Sequence, residues 1–272
     1  MAAFEQLQII VEEVPENREA RTGFIRLGQT LDQWNTVHDV LAQALPSIVD
    51  ADDQREMRLT LGRILEEEMG AYDEALGRYL AVLELTPDDM TAIEAVERLY
   101  NRTGRWYDLL GILDRKVELV ETDEEQIVII RRKAVIHEEQ LEDPAAAIDA
   151  HRSLLEIDGE DADSLDALQR LFSDGQQGGD LRDILERQLQ NALAANVDER
   201  VISIRTQLSD VLLNQLDAIA EAVDQLELVV AANPEHREAL STLERLLAEP
   251  DIRLRVARIL EPIHVADHDW EA

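Results

Sequence analysis

The chain has 272 residues, of which 45% are hydrophobic and 31% charged, and this balance is typical of a folded protein. Its 59 acidic and 26 basic residues give a net charge of −33, which disfavours direct binding to nucleic acid because the phosphate backbone would be repelled. The sequence contains no cysteine, so disulfides and thiolate zinc sites are excluded.

Apolar residues recur at spacings of three and four along most of the chain, which predicts amphipathic helices, and no alternating β pattern is present. The stretch 72–85 shows this most clearly, with Leu76, Tyr79, Leu80 and Leu83 on one side of a helix. The predicted helices lie near residues 4–13, 17–30, 34–48, 54–69, 72–85, 89–102, 106–121, 124–141, 144–157, 161–173, 181–195, 198–216, 219–232, 235–248 and 252–265.

Several residues predict where these helices begin and end. Thr86 is a candidate N-cap with Pro87 at the first helical position, where the missing N–H would have no partner anyway. Thr122 begins a Thr-Asp-Glu-Glu capping box, and Asn233 is expected to cap a helix near the carboxyl terminus. Pro46 should end or bend the helix that begins at Trp34.

The sequence repeats with a period of 72 residues, which equals two helix pairs of about 36. After the insertion near residues 174–179 the shift becomes 75 and carries Leu168 onto Leu243. The 72-residue shift carries Pro15 onto Pro87, Leu27 onto Leu99, Trp34 onto Trp106, Ala75 onto Ala147, and Leu99 onto Leu171.

This period divides a single repeat domain, residues 1–272, into units. We predict a partial unit over 1–33, full units over 34–105, 106–180 and 181–251, and a partial unit over 252–272. The segment SDGQQGGD before Leu181 is the predicted hinge, and Asp269-Trp270-Glu271 resembles the start of another unit. Both ends fall inside repeats, so we expect a piece of a longer array or ends that dock on another molecule.

The spacing of Ala75, Tyr79, Val82 and Pro87 resembles the second half of a tetratricopeptide repeat. Leu61-Gly62 and Leu65 resemble the first helix of that repeat, displaced by one residue. The resemblance implies an all-α fold, a right-handed solenoid of antiparallel helix hairpins.

In tetratricopeptide proteins the first helix of each hairpin lines a groove that contacts extended peptides. The resemblance places the corresponding positions at Glu56, Leu59, Arg63, Glu66 and Glu67, and 72 residues later at Val128, Arg131, Val135, Glu138 and Glu139. Leu59 and Arg63 replace the asparagine and lysine with which one subclass grips a terminal carboxylate, so acidic tails are not expected ligands. Glu66, Glu67, Glu138 and Glu139 could pair with a basic partner or could form a solvated helix face.

No motif in the sequence predicts catalysis or a cofactor. There is no phosphate loop, HExxH or GxSxG motif. His264 and His268 are four residues apart, with Asp267 and Asp269 beside them, but they lack a third ligand fixed in place, and we expect no metal. The other histidines are expected to be partly exposed, and tryptophans 34, 106 and 270 to pack where units join.

The amino terminus and the apolar segments predict a soluble, cytoplasmic protein. The first residues, MAAFEQLQIIVEEVPEN, have no basic region and so do not form a signal peptide. No apolar run approaches the ~20 residues that a membrane-spanning helix needs, so no membrane contact is expected.

Together these features predict a non-enzymatic scaffold for protein–protein interaction. Its partner would be a protein, with a basic or amphipathic segment that binds an acidic surface. The alternative is a structural subunit that stacks or polymerises end to end through uncapped terminal repeats.

Overall fold

A computed structural model describes residues 1–266, which form fifteen α-helices with no strand among them. The predicted all-α fold is confirmed, and most helix bounds agree with the prediction within three residues. The helices are α1 (Ala2–Glu13), α2 (Arg18–Leu31), α3 (Trp34–Ala44), α4 (Ala51–Arg63), α5 (Tyr72–Leu85), α6 (Met90–Thr103), α7 (Trp106–Leu119), α8 (Asp123–Val135), α9 (Pro144–Ile157), α10 (Ala162–Asp174), α11 (Gly178–Ala194), α12 (Asp198–Asn214), α13 (Ile219–Ala232), α14 (Arg237–Leu246) and α15 (Arg253–Ala266).

The chain divides into two compact units, Met1–Ile136 and the part that begins at His137. Within each unit a helix packs mainly on its neighbours in the sequence. The apolar core is correspondingly local: one cluster spans Phe4 to Ile64, and in the second unit one spans Ala147 to Ala222 and another Val223 to Leu260. Successive helix pairs that bury their apolar faces against each other make an all-α solenoid.

The side chains that begin α2, α6, α10 and α14 occupy one position of the repeat. Each N-cap side chain accepts a hydrogen bond from the backbone N–H three residues later, which satisfies a donor that the helix cannot. The pairs are Asn17 with Ala20, Asp89 with Ala92, Asp161 with Ser164, and His236 with Ala239. The first three caps are 72 residues apart and the last is displaced by 75, so the sequence period is also a backbone period.

Two of the predicted caps are wrong and one is confirmed. Thr86 does not begin α6; it ends α5, and Asp89 is the N-cap. Asn233 likewise ends α13, and its side chain accepts from the Glu235 N–H at 3.1 Å in a turn. Thr122 caps α8 as predicted, with its hydroxyl accepting from the Glu125 N–H at 3.3 Å.

The ends of α2, α6 and α10 also repeat. Each is followed by one residue in the left-handed conformation, with φ of 55° at Asp32, 68° at Gly104 and 52° at Gln176. The next residue then donates to a carbonyl five positions back, which closes the helix end. These bonds run from Gln33 to Gly28, from Arg105 to Tyr100, and from Gln177 to Phe172.

Helices α4 and α8 continue into wide π-helical turns, Ile64–Glu68 and Ile136–Gln140, which the sequence did not predict. After each, a backbone N–H donates to a carbonyl six residues back, from Ala71 to Leu65 and from Asp143 to His137. The same bond closes α12, from Ala218 to Leu212. A π turn accommodates one extra residue in a helix, which explains the one-residue displacement between Gly62 and the rest of the repeat pattern.

The segment predicted as a hinge is largely helical. Helix α10 continues through Asp174, and α11 begins at Gly178 rather than near residue 181. A Cβ atom at Gly178 would lie 2.8 Å from Cβ of Gln215, so the glycine permits close packing there. Pro46 acts as predicted: α3 ends at Ala44 and a 3₁₀ turn, Leu45–Ser47, follows.

Candidate partner-binding surface

The predicted binding residues lie on the first helices of two hairpins. We call α2, α4, α6, α8, α10, α12 and α14, each the first helix of its hairpin, the leading helices. The ten predicted positions belong to α4, α8 and the wide turns that follow them. Their side chains fall into two groups, which the structure separates by their contacts.

Glu66 and Glu138 are held by contacts inside the protein. The Glu66 carboxylate accepts two hydrogen bonds from Arg98, at 2.7 and 2.8 Å, and one from the Tyr79 hydroxyl at 3.1 Å. Glu138, 72 residues later, accepts from His151 Nε2 at 3.0 Å and from Arg170. Tyr79 and His151 also correspond to each other, as do Arg98 and Arg170, so both wide turns carry the same three-residue contact.

These contacts shift the pKa values of the groups that make them. The Arg98 guanidinium holds the pKa of Glu66 below its usual value, against the effect of burial. Burial opposes ionisation of Glu138, but hydrogen bonds from Arg170 and His151 keep the pKa of that carboxyl low. Burial and the Glu66 charge raise the pKa of the Tyr79 phenol. Both carboxylates therefore remain ionised and internally paired at neutral pH.

Glu138, His151 and Ser164 lie in a row that resembles a serine nucleophile with its base and acid. His151 Nδ1 lies 3.2 Å from Ser164 Oγ, and Nε2 donates to Glu138. Ser164 is 0% exposed and His151 only 6% exposed, so no substrate carbonyl can reach the hydroxyl. The row serves packing and hydrogen bonding, and the expectation that His151 is partly exposed is wrong.

The other predicted positions are more open to solvent. Glu56 is exposed and pairs with Arg18 at 2.6 Å, while Leu59 and Arg131 are half-buried. The remaining five predicted positions are exposed: Arg63, Glu67, Val128, Val135 and Glu139. Val128 is 66% exposed and Val135 44%, which leaves apolar surface beside the acidic residues of α8.

Ion pairs connect consecutive leading helices within each unit. They join Arg18 and Arg21 to Asp53, Arg55 to Asp89, Arg98 to Glu66, Arg132 to Glu97, Arg170 to Glu138, and Arg200 to Asp166. Such pairs at a protein surface contribute little stability each. Their main effect here is that many of the few basic residues are neutralised internally, which leaves an excess of carboxylates at the surface.

Sequence reasoning did not identify a groove of about 540 Å³ among α10, α11, α12 and α14. Three residues of α12 that line it are Ser203, Thr206 and Asp210. They follow Val128, Arg131 and Val135 by 75 residues, which is the shift that relates the last two units. Applying that shift to the predicted positions would have located the groove.

The groove is rich in hydrogen-bond acceptors. Gln169 and Gln207 face each other with a bond of 2.6 Å between their amides. The carboxylates of Glu199, Asp210 and Glu238 line the groove, and no lysine or arginine is among its lining residues in the described part of the chain. These groups can accept hydrogen bonds from donors on a bound segment.

Neither a metal site nor a membrane span is found among residues 1–266. No three histidine, aspartate or glutamate side chains in that range converge as metal ligands would. His264 is described, whereas Asp267, His268, Asp269 and Trp270 lie outside the described residues. No helix of that range is both long enough and apolar enough to cross a bilayer.

Residues 59–90 match the family model of the tetratricopeptide repeat. The chain is also similar to solved structures. A tetratricopeptide repeat protein from Parabacteroides merdae has 15% identity, covers 97% of this chain and 99% of its own, and has a TM-score of 0.39. The C-terminal part of a repeat protein from Cytophaga hutchinsonii has 11% identity, covers 88% and 93%, and has a TM-score of 0.42.

A third solved structure is that of YrrB, described as a tetratricopeptide protein with an unusual peptide-binding site. It has 12% identity, covers 75% of this chain and 97% of its own, and has a TM-score of 0.36. No curated protein sequence matches the chain. The family match includes Gly62, Ala75 and Tyr79, which carry the repeat pattern, and the caps and wide turns recur with the same period. The chain is a tetratricopeptide-like helical-repeat protein.

Proposed function

We propose that this protein is a non-enzymatic scaffold that binds an extended segment of a partner protein along its leading helices. The observation that carries the proposal is the groove of the second unit, at Ser203, Thr206 and Asp210. These are the positions to which the repeat shift carries the predicted peptide-contacting residues of α8. A groove formed in advance by packed helices binds a segment at a lower conformational cost than a mobile surface would.

The charge of the groove favours a basic or amphipathic partner. Glu199, Asp210 and Glu238 would attract lysine and arginine side chains, and the net charge of −33 would steer a basic segment toward the protein. Ile202 and Leu185 line the same groove and offer an apolar contact. A segment that carries both basic and apolar residues matches this combination.

In the first unit, the exposed residues of α4 and α8 would extend the binding surface. Glu67 and Glu139 are exposed, so they are available to a partner, whereas Glu66 and Glu138 would have to exchange an internal partner for an external one. Val128 supplies exposed apolar surface on α8. We therefore assign partner contact to the exposed members of the predicted set.

A random peptide library displayed on phage tests the proposal. Selection on the intact protein should enrich sequences rich in lysine and arginine, and Asp210→Arg and Glu238→Arg should each weaken the selected peptides by at least about tenfold. Glu118→Arg, on the exposed side of α7, changes the net charge equally and should leave affinity nearly unchanged. Enrichment of acidic peptides, or equal losses in all three variants, would contradict the proposal.

End-to-end assembly is a second candidate, favoured by the exposed apolar side chains of helix α1. Ile9 is 52% exposed, Ile10 38%, and Val14, just after the helix, 51%. A second copy that covers them would remove apolar surface from water. Light scattering over a concentration series should then show a rising mass for the wild type and a constant mass for Ile9→Asp; a constant mass in both would exclude assembly through this face.

A further inference from the structure

The second unit contains another cavity, of about 470 Å³, where α10 and α12 begin and α11 ends. It shares no lining residue with the groove described above. Leu165, Ala192 and Val197 form its apolar wall. Its polar side is formed chiefly by Gln188 and Asp166, so the cavity combines an apolar surface with concentrated acceptor oxygens.

Gln188 is the unusual residue of this cavity, because its side chain is buried but only half satisfied. The residue is 5% exposed, and its Nε2 donates to Asp166 Oδ1 at 2.9 Å. Its Oε1 accepts no hydrogen bond from any residue in the described part of the chain. A buried acceptor without a donor is costly and uncommon in folded proteins, so the site has an unmet need for an N–H or O–H group.

The charges around Gln188 favour a cation as the source of that donor. Asp166 also accepts from Arg200 at 3.1 Å, and Glu160 adds a second, exposed carboxylate to the lining. Two carboxylates against one guanidinium leave the cavity negative. Carboxylates and an amide oxygen can only accept hydrogen bonds, so an anionic or acceptor-only ligand does not fit.

We propose that this cavity binds a lysine side chain of a partner protein. The aliphatic stem would lie against Leu165, Ala192 and Val197, and the ammonium group would donate to Gln188 Oε1 and Asp166. Lysine fits better than arginine, because its compact ammonium directs three donors at separate oxygens. The planar fork of arginine is suited to one free carboxylate, and Asp166 already binds Arg200.

The inference does not depend on occupation of the groove, and the two sites can be tested separately. The probe is the peptide Ac-Gly-Gly-Lys-Gly-Gly-NH₂, compared with the same peptide carrying norleucine, by NMR titration of ¹⁵N-labelled protein at near-physiological salt. The lysine peptide should shift the Gln188 side-chain amide signal and those of the start of α10. Its affinity should exceed that of the norleucine peptide by at least about tenfold, as expected for a charge-assisted hydrogen bond.

Gln188→Leu should reduce the affinity of the lysine peptide to that of the norleucine peptide. This substitution does not change the net charge, so the loss could not come from weaker general attraction. Gln190→Leu, on the exposed side of the same helix, is the matched control and should bind as the wild type does. Asp210→Arg in the groove should also leave this binding unchanged, which separates failure of one site from failure of the other.

Three results would overturn the proposal. The first is equal affinity for the two peptides, and the second is unchanged lysine binding in a folded Gln188→Leu variant. The third is a set of shifts spread over the acidic surface, which would indicate non-specific attraction. If Gln188→Leu does not fold, the pattern of shifts in the wild-type protein decides alone.

Discussion

Substitution of Gly62 by alanine tests how closely α4 and α5 pack. A Cβ atom at Gly62 would lie 2.7 Å from Cε1 and 2.8 Å from Cζ of Tyr79. Carbon atoms in favourable contact are about 3.5–4.0 Å apart, so the helix and the ring would have to separate by about 1 Å. The ring has little freedom to move, since Tyr79 is 3% exposed and its hydroxyl donates to Glu66.

The expected cost follows from two opposing effects. Overpacking a dense core typically costs about 1–3 kcal/mol, whereas alanine is favoured over glycine within a helix by up to about 1 kcal/mol. We therefore expect Gly62→Ala to lower the free energy of unfolding by about 1–2 kcal/mol. Gly77→Ala in α5 is the matched control: its Cβ would meet nothing within 4 Å, so it should stabilise by about 0.5–1 kcal/mol.

Removal of the ring should abolish the penalty. In the last unit the positions equivalent to Gly62 and Tyr79 are Ser209 and Leu226, both buried, where a larger residue accompanies a smaller one. In a Tyr79→Leu background, Gly62→Ala should be neutral or stabilising, which gives a coupling of about 2 kcal/mol. Urea unfolding followed by circular dichroism, with hydrogen exchange of the α4 and α5 amides, measures it. Equal effects of Gly62→Ala in both backgrounds would refute the packing argument.

Two further predictions concern carboxylates on the leading helices. Asp89→Ala removes both the acceptor for the Ala92 N–H, at 2.9 Å, and the partner of Arg55, and should cost about 2 kcal/mol in urea unfolding; Asp89→Asn retains the cap and should cost clearly less, so equal costs would show that the cap contributes little. The pKa values of Glu66 and Glu138 are lowered by folding, so their stabilisation is complete above the usual value of 4.5 and is lost as pH falls through the folded values. Unfolding at pH 6 and pH 3 should therefore show a smaller acid loss for the Glu66→Gln and Glu138→Gln double variant than for the wild type, measured as a difference because general charge repulsion also weakens in acid; identical losses would contradict the assigned pKa directions.

The helices could be predicted because their apolar periodicity is strong, but the details at their ends depend on geometry that residue spacing does not show. Asp89 and Thr86 are both good cap formers, and only the path of the chain decides between them. The wide turns at Ile64–Glu68 and Ile136–Gln140 are visible in the sequence only as a displacement of one residue. The backbone bonds that accommodate it cannot be read from spacing.

The candidate site was predictable in position and less so in availability. The resemblance located the leading helices, but Glu66 and Glu138 look the same in sequence as Glu67 and Glu139. The structure separates them, because a side chain 32 residues away neutralises each member of the first pair. Long-range pairing of this kind has no local sequence signal. The groove at Ser203 was within reach, since it required only that the 75-residue shift be applied once more.

The matching left-handed residues at Asp32 and Gly104 bear on how such a chain can change in length. The backbone has the same conformation at both points, and each is followed by the same closing bond. Excision of residues 33–104 would join Asp32 to Arg105 without introducing a new local conformation, and duplication of the same segment would be equally compatible with the chain path. Natural or engineered variants of this protein could thus gain or lose whole four-helix modules, which would alter the reach of the scaffold while each remaining junction kept its native geometry.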